Sequence, residues 1–237
     1  MPTLIFDIET VGEDFAAMDE ATQDYLTHWI EREADDEAHA ESLLADVKNR
    51  LGFSPLTGEI VAVGVLDNER NRGAVYFQAP GAELAATEDG GMKFVPCDEK
   101  TMVQHFWEIA ARYDQFVSFN GRSFDAPFLM IRSAIHGIRP TKNLLSNRYL
   151  SMQRSGALHV DLLDQLSFYG AVWKKGNLHL WSRAFGIMSP KSSGVTGDDV
   201  ARLFREGKYL ELARYNVGDL RATKELYERW DHYLRFG

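Results

Sequence analysis

The arrangement of apolar residues differs between the two halves of the chain. Short runs rich in β-branched and aromatic residues occur at 3–6, 59–66 and 73–78, and the polar residues 67–72 separate the last two. This pattern predicts a first strand followed by a β-hairpin. A fourth short run, 116–119, predicts one more strand before the chain becomes mainly helical.

Helical spacing and capping residues predict the other elements. Residues 13–52 contain no proline and many alanine, leucine and glutamate residues, which predicts one or two surface helices after the first strand. Residues 81–91 contain three glycines and predict a loop. Asp98 and Asn177 are suitable N-caps for two of the later helices. The later helices are predicted over about 98–113, 125–136, 160 onward, 177–186, 198–206 and 209–233.

Strands that come first and helices that come later predict an α/β fold with a mixed β-sheet flanked by helices. A length of 237 residues fits one large domain or a domain with an insertion. We therefore expect a single domain over 1–237, in which residues 13–55 form an acidic helical insertion after the first strand.

Composition restricts the class of protein. The chain is 45% apolar and 26% charged, as expected of a folded domain, and its only cysteine, Cys97, excludes an intrachain disulfide. The N-terminus does not resemble a signal peptide, and no apolar run approaches the roughly 18 residues that cross a bilayer. We expect a cytoplasmic protein without membrane association.

The net charge of −9 is distributed unevenly along the chain. Residues 13–46 hold twelve of the 35 acids and one of the 26 lysines and arginines, whereas residues 122–191 hold ten basic and three acidic residues. Because a local field depends on where charges lie, overall acidity does not exclude a nucleic-acid substrate. The same counts are also expected of an ordinary surface of mixed charge.

The first candidate motif is Asp7-Ile8-Glu9, at the end of the first predicted strand. Side chains alternate between the faces of a strand, so Asp7 and Glu9 project to one side and Ile8 to the core. Two carboxylates in that position repel each other unless a cation lies between them. About five acid-x-acid pairs are expected by chance in a chain with 35 acids, so this pair needs support from other motifs.

The second candidate motif, residues 118–129, combines the end of a strand, a glycine turn and the start of a helix at Asp125. An acidic residue at that position has a structural explanation as a helix cap. Asn120 has a similar explanation, because asparagine stabilises turns.

The third candidate motif is Tyr215-x-x-x-Asp219. On a helix these two residues share a face, so a phenol and a carboxylate lie side by side. The structural alternatives are a core aromatic at Tyr215 and an ion pair of Asp219 with Lys224 or Arg221.

Residues 6–10, 120–129 and 215–219 resemble, in this order, the three exonuclease motifs of the DEDD superfamily of proofreading exonucleases, which has a ribonuclease-H-like fold. Tyr215 indicates the tyrosine variant, DEDDy. The histidine variant would carry a histidine five residues before the last aspartate, where this chain has Arg214. The first two motifs are most similar to those of the exonuclease domain of family-B DNA polymerases.

The resemblance spans residues 4 to about 229 and leaves no room for a polymerase. The chain therefore resembles stand-alone predicted exonucleases related to that domain, and the acidic insertion departs from their pattern. The resemblance implies a 3′-5′ exonuclease that hydrolyses phosphodiester bonds at the free 3′ end of single-stranded nucleic acid, with DNA as the expected substrate.

The resemblance also implies a cofactor and a set of site residues. Two divalent cations, Mg²⁺ or Mn²⁺, would activate the attacking water and neutralise charge on the phosphate. Tyr215 would orient or deprotonate that water, and Asn120 and Phe124 would contact the terminal nucleotide. The metal ligands, which with Tyr215 form the catalytic set, would be Asp7, Glu9, Asp125 and Asp219.

Several alternatives remain open at this point. Phe124 is as readily explained by burial in the core as by stacking on a base, and Asp161 is either a support for the site or a helix cap. The chain as a whole is also compatible with an RNA-directed exonuclease, a small-nucleotide hydrolase, or a catalytically silent nucleic-acid-binding protein of the same fold.

Overall fold

Seven strands form one mixed sheet in the part of the chain that the computed structural model describes, residues 1–173, 176–188 and 199–236. β1 (Thr3–Gly12) continues well beyond the four residues that the sequence predicted. The other strands are Gly58–Asp67 (β2), Arg72–Phe77 (β3), Thr87–Asp89 (β4), Met92–Pro96 (β5), Gln115–Ser118 (β6) and Leu158–Asp161 (β7).

The order across the sheet is β4-β5-β3-β2-β1-β6-β7. β2 and β3 form the predicted antiparallel hairpin, and β4 is antiparallel to β5. β3 and β5, β1 and β6, and β6 and β7 are parallel pairs. The last aligned pair of β1 and β6 is Ile5 with Val117, and β6 ends one residue later at Ser118. Asp7 and Glu9 therefore extend past the end of β6.

Nine α-helices accompany the sheet within the described residues. Their N-caps include the predicted Asp98 and Asn177, whose side chains accept the N–H groups of Thr101 and Leu180. The helices are Glu20–Thr27 (α1), Ile30–Glu33 (α2), Glu37–Arg50 (α3), Glu99–Ala110 (α4), Asp125–Ile135 (α5), Leu162–Leu166 (α6), Leu178–Ala184 (α7), Val200–Arg205 (α8) and Tyr209–Tyr233 (α9).

The alternation of side chains along β1 separates two layers of helices. Leu4, Phe6 and Ile8 are buried in a core with apolar residues of α4 and α5. The opposite face of the sheet packs against α9, which contacts β3, β5 and β6. The sheet is thus flanked by helices on both faces, and none of the helices in the described part of the chain is long and apolar enough to cross a membrane.

The prediction of a helix beginning at 160 was wrong at its start. Leu158–Asp161 is β7, which pairs with β6, and α6 begins only after it. A segment of four residues is too short to show a period, so pairing with a neighbouring strand decided its conformation.

The predicted loop at 81–91 was also wrong in part, and the following strand was missing from the prediction. Thr87–Asp89 is β4, whose three residues are all exposed, so no apolar pattern marks it. It forms because β5 offers its backbone as a partner. β5 itself has buried Met92 and Phe94 on either side of exposed Lys93, an alternation too short to be distinctive. Residue 198, the predicted start of a later helix, lies outside the described residues.

Thr10–Glu59 forms a compact unit of its own, and Met1–Glu9 with Ile60–Gly237 forms the other. The unit Thr10–Glu59 contains three α-helices, where the sequence predicted one or two. Asp19 and Asp36 cap α1 and α3, each by accepting a backbone N–H three residues later. The N–H of Glu13 donates to the carbonyl of Thr57 at 2.9 Å, which joins the two ends of the segment.

A buried ion pair connects β2, α4 and α5. Glu99 accepts two hydrogen bonds from Arg132, at 2.8 and 2.6 Å, one from the N–H of Ile60 and one from Nε2 of His136. Although burial raises the pKa of Glu99, its hydrogen bonds with Arg132, Ile60 and His136 lower it below the ordinary value. Because α5 begins with Asp125, this network also fixes the helix that carries a predicted site residue.

We expect Glu99→Gln to lower the free energy of unfolding by about 3 kcal/mol, because it leaves the buried Arg132 without its counter-charge. Urea denaturation at neutral pH measures this loss. The lowered pKa of Glu99 means that its stabilising contribution is present above the pKa of an unfolded glutamate, about 4.3, and is lost as the pH falls. The difference between the two proteins should therefore shrink in acid.

Glu108→Gln is a matched control on the same helix, since its exposed side chain bonds only to neighbours one turn away. It should leave the urea midpoint nearly unchanged. Equal midpoints for wild type and Glu99→Gln would show that the ion pair does not hold α5.

Candidate active site

Three carboxylates from opposite ends of the chain meet beside β1. Asp7, Glu9 and Asp219 each place one oxygen within 4.8 Å of the others. Asp7 and Glu9 share a face of the strand, as predicted, because Ile8 between them points into the core. Asp219 comes from α9, the helix that covers the other face of the sheet.

Asp125 approaches the same part of β1 from the start of α5. Its Oδ1 accepts the N–H of Ile8 at 2.9 Å, and its side chain is buried. The carboxylate is therefore attached to the backbone between Asp7 and Glu9. It is not one of the three whose oxygens cluster within 4.8 Å among the described residues. The alternative explanation of Asp125 as a helix cap does not account for this hydrogen bond, which joins the side chain to the strand.

Burial and neighbouring carboxylates raise the pKa values of Asp7, Glu9 and Asp125. Burial, followed by the charges of Asp125, Asp219 and Glu9, raises the pKa of Asp7 well above its ordinary value. The pKa of Glu9 is raised by burial and by Asp219. Burial also raises the pKa of Asp125 to about 7, although the N–H of Ile8 opposes the shift. Negative charge is thus concentrated in a site that water reaches poorly.

Tyr215 lies one helical turn before Asp219 and is half-buried. Its pKa is raised far above the ordinary value by burial, by the charges of Asp219, Glu9 and Asp7, and by a hydrogen bond with Asp219. The phenol therefore keeps its proton at neutral pH and is the donor in its hydrogen bond with the Asp219 carboxylate. The two cations considered as partners of Asp219 bond elsewhere, Lys224 to Glu228 and Arg221 to the carbonyl of Gly90.

Asp161 supports the loop between β6 and α5. Its two oxygens accept the N–H groups of Asn120, at 2.9 Å, and Arg122, at 3.0 Å. It also accepts the N–H of Leu163 and caps α6. Both roles that the sequence left open are therefore present. Asn120 adopts φ 62°, in the left-handed region that asparagine tolerates, and the bond to Asp161 holds it there.

A buried, hydrogen-bonded pair, Ser118 and His159, lies beneath this loop and was not identified from the sequence. Nδ1 of His159 donates to the carbonyl of Leu144 at 2.9 Å, so its Nε2 accepts the hydroxyl of Ser118 at 2.8 Å. Burial lowers the pKa of His159 to about 4, which keeps the ring neutral. Gly121 packs directly on this pair, because a Cβ there would lie 2.1 Å from Oγ of Ser118.

Phe124 lies at the border between core and solvent. Its ring centroid is 5.4 Å from that of Phe128, and its side chain is half-buried against the core. The two interpretations made from the sequence, burial and exposure for stacking, each describe part of this ring.

Asn216 is a polar residue that contacts the acids of the site and that the sequence interpretation missed. Its Nδ2 donates to Oδ2 of Asp7 at 2.8 Å and lies 3.5 Å from Oε1 of Glu9. The sequence does carry one signal of its role. Asn216 interrupts the apolar face of α9 between the buried Leu212 and Leu220.

Residues 82–235 match the family described as "Predicted 3'-5' exonuclease related to the exonuclease domain of PolB". A DNA polymerase from Desulfurococcus sp. (strain Tok) is 27% identical over an alignment of 171 residues, which covers 64% of this chain and 21% of that polymerase. The family B DNA polymerase from the hyperthermophilic archaeon Pyrobaculum calidifontis has a similar structure, with a TM-score of 0.59 and 19% identity. That match covers 97% of this chain and 24% of the polymerase.

The chain thus spans roughly a fifth to a quarter of the length of the polymerases it matches. The structural match confirms the predicted fold class, which is a ribonuclease-H-like α/β fold with a mixed sheet flanked by helices. The family match includes Asn120, Asp125 and Asp219 and begins after Asp7 and Glu9. The resemblance to the exonuclease domain of family-B DNA polymerases is confirmed, and the chain belongs to the family of predicted 3′-5′ exonucleases related to the exonuclease domain of PolB.

Proposed function

We propose that this protein uses two divalent cations, Mg²⁺ or Mn²⁺, to hydrolyse phosphodiester bonds at the 3′ end of single-stranded DNA. The observation that carries the proposal is the convergence of Asp7, Glu9 and Asp219 within 4.8 Å. Membership of an exonuclease family supports the reaction class. The DNA preference is supported by the names of the two similar proteins, which are DNA polymerases.

The donor atoms of the site fit hard divalent cations. Every group in the cluster offers carboxylate oxygen, which Mg²⁺ and Mn²⁺ prefer to sulfur or imidazole ligands. Burial and neighbouring carboxylates raise the pKa values of Asp7 and Glu9, and bound cations would favour the charged forms of both. We assign Asp7, Glu9 and Asp219 to one cation, and Asp7 with Asp125 to the other.

Bound cations supply an activated water and neutralise the charge that grows on the phosphate. The protein's own groups hold and orient the reactants. The Tyr215 phenol keeps its proton and donates its one O–H to Asp219, so its oxygen orients the attacking water by accepting a hydrogen bond from it. We therefore favour orientation by Tyr215 over deprotonation.

Asn120 and Phe124 are the proposed contacts to the terminal nucleotide. Both belong to the loop that ends at Asp125, and Asp161 fixes the backbone of that loop. The exposed part of the Phe124 ring offers a surface on which a base stacks, a contact worth about 1–3 kcal/mol.

The direct test compares oligonucleotides labelled at either end. With Mg²⁺, 5′-labelled single-stranded DNA should shorten stepwise, and 3′-labelled DNA should release its label as the first product. The same assay with RNA and with free dinucleotides separates the alternative substrates. If no substrate is cleaved and no cation binds, the chain is a silent nucleic-acid-binding protein and the proposal is wrong.

Asp7→Ala should reduce the Mg²⁺-dependent exonuclease rate by at least about 1,000-fold, because the residue assigned to both cations is lost. The fold should be retained, as checked by circular dichroism. Asp24→Ala, which removes an exposed carboxylate from α1, is the matched control and should cleave at the wild-type rate. Full activity of Asp7→Ala would refute its assignment.

Tyr215→Phe should lower kcat about 10- to 100-fold, because the hydroxyl that orients the attacking water is lost, with little change in Mn²⁺ affinity. Tyr227→Phe removes a phenol from the same helix, where it accepts a bond from Gln115, and serves as the control. Single-turnover cleavage and calorimetry give the two quantities. A rate for Tyr215→Phe equal to that of the control would exclude a catalytic role for Tyr215.

Cation-free protein should lose stability as the pH rises from about 4 to about 7, relative to Asp125→Asn. The pKa of Asp125 is raised in the folded state, so its contribution is complete below the unfolded pKa and is lost as the pH rises towards about 7. Urea denaturation in a chelator measures this slope, and saturating Mn²⁺ should abolish it. A difference between the two proteins that does not vary with pH would contradict the raised pKa.

A further inference from the structure

The side chain of Asn216 is completely buried between α9 and the sheet. Its Nδ2 donates to Asp7 at 2.8 Å and reaches Glu9 at 3.5 Å. Carboxylates without a proton only accept hydrogen bonds, so the nitrogen of the amide must be the atom that faces them. The amide therefore bridges the two acids that lie two residues apart on β1.

The other end of the amide is fixed by the sheet. Oδ1 of Asn216 is buried and has no hydrogen-bond partner among the described residues. It lies over Gly64 of β2, where a Cβ would be only 1.8 Å away. A buried carbonyl without a partner is unfavourable, so the bridge to the acids is maintained at a cost. Packing of this kind leaves the side chain little freedom to turn.

A neutral donor suits the bridging position better than a charged one would. Lysine or arginine at this position would neutralise the carboxylates and compete with a divalent cation for them. An amide lowers the repulsion between the carboxylates and leaves their full negative charge available. Its hydrogen bond opposes the rise that burial causes in the pKa of Glu9. Groups that orient metal ligands from behind commonly set the affinity of the site.

We propose that Asn216 is a positioning residue that holds Asp7 and Glu9 in place for cation binding and so sets the affinity of the site. This inference rests on the proposed function, because it concerns the same carboxylates. It assigns no contact between Asn216 and substrate or cation. The amide acts through the two ligands that it bridges.

The test measures Mn²⁺ binding by calorimetry on wild type, Asn216→Ala and Asn216→Leu. Leucine keeps the branching of asparagine at Cγ and is somewhat larger, so alanine leaves a gap and leucine does not. Both should bind Mn²⁺ about 10- to 100-fold more weakly than wild type. Thr223→Val, which removes from the same helix a buried hydroxyl that has no partner in the described part of the chain, should bind within about threefold of wild type.

Activity gives a second readout, because a loss that acts through cation affinity is overcome by more cation. Raising Mn²⁺ to saturation should restore kcat of the Asn216 variants to near the wild-type value. A purely structural role would instead lower the melting temperature, with unchanged Mn²⁺ affinity in the folded fraction, and that result would overturn the inference.

A measurement on wild type keeps the test independent of how the variants fold. With asparagine-labelled protein, the side-chain amide resonance of Asn216 should shift during a Mg²⁺ titration, with the same dissociation constant that calorimetry gives for Mg²⁺. A resonance that does not move while Mg²⁺ binds would refute the inference. If wild type binds no cation at all, the proposed function fails first, and the two failures are distinguished.

Discussion

Parallel pairing of β1, β6 and β7 places the ends of two short strands beside the middle of a long one. β6 stops at Ser118 and β7 at Asp161, and these two residues are aligned with each other, whereas β1 continues to Gly12. The loop after β6 therefore begins beside the middle of β1, and Asp161 at the end of β7 holds the backbone of that loop. The Asp161 bonds and the arrival of Asp125 at β1 depend on this difference in strand length.

The site concentrates negative charge, and the hydrogen-bond donors described around it are neutral. Asp125 accepts a backbone N–H, Asp7 accepts an amide, and Asp219 takes part in a hydrogen bond with a phenol. Neutral donors hold carboxylates in place without cancelling their charge. Arg132, by contrast, forms an ion pair with Glu99 between α4 and α5, where it has a structural role.

Local rules were sufficient for the parts of the molecule that local geometry determines. Alternation along a strand put Asp7 and Glu9 on one face, and the spacing of four put Tyr215 beside Asp219. Capping preferences located α4 and α7 through Asp98 and Asn177. These features depend only on neighbours in sequence, so a pattern in the sequence is enough to indicate them.

The features that the sequence did not indicate depend on residues distant along the chain. β4, β5 and β7 are short, and they are strands because a partner is present. Asn216 has no motif, and its importance follows from the place where α9 crosses β1. The left-handed backbone of Asn120 is likewise maintained by Asp161, which comes 41 residues later. Such relations appear only after the chain has folded.

The absence of a side chain at Gly64 has a consequence for how the sequence can vary. Oδ1 of Asn216 fills the space that a methyl group at position 64 would need, so the two positions share one small volume on opposite sides of the layer between sheet and helix. A larger residue on the strand requires a smaller one on the helix. Among relatives of this chain, the sizes of these two residues should therefore be inversely related, and an exchange at one should be accompanied by an exchange at the other.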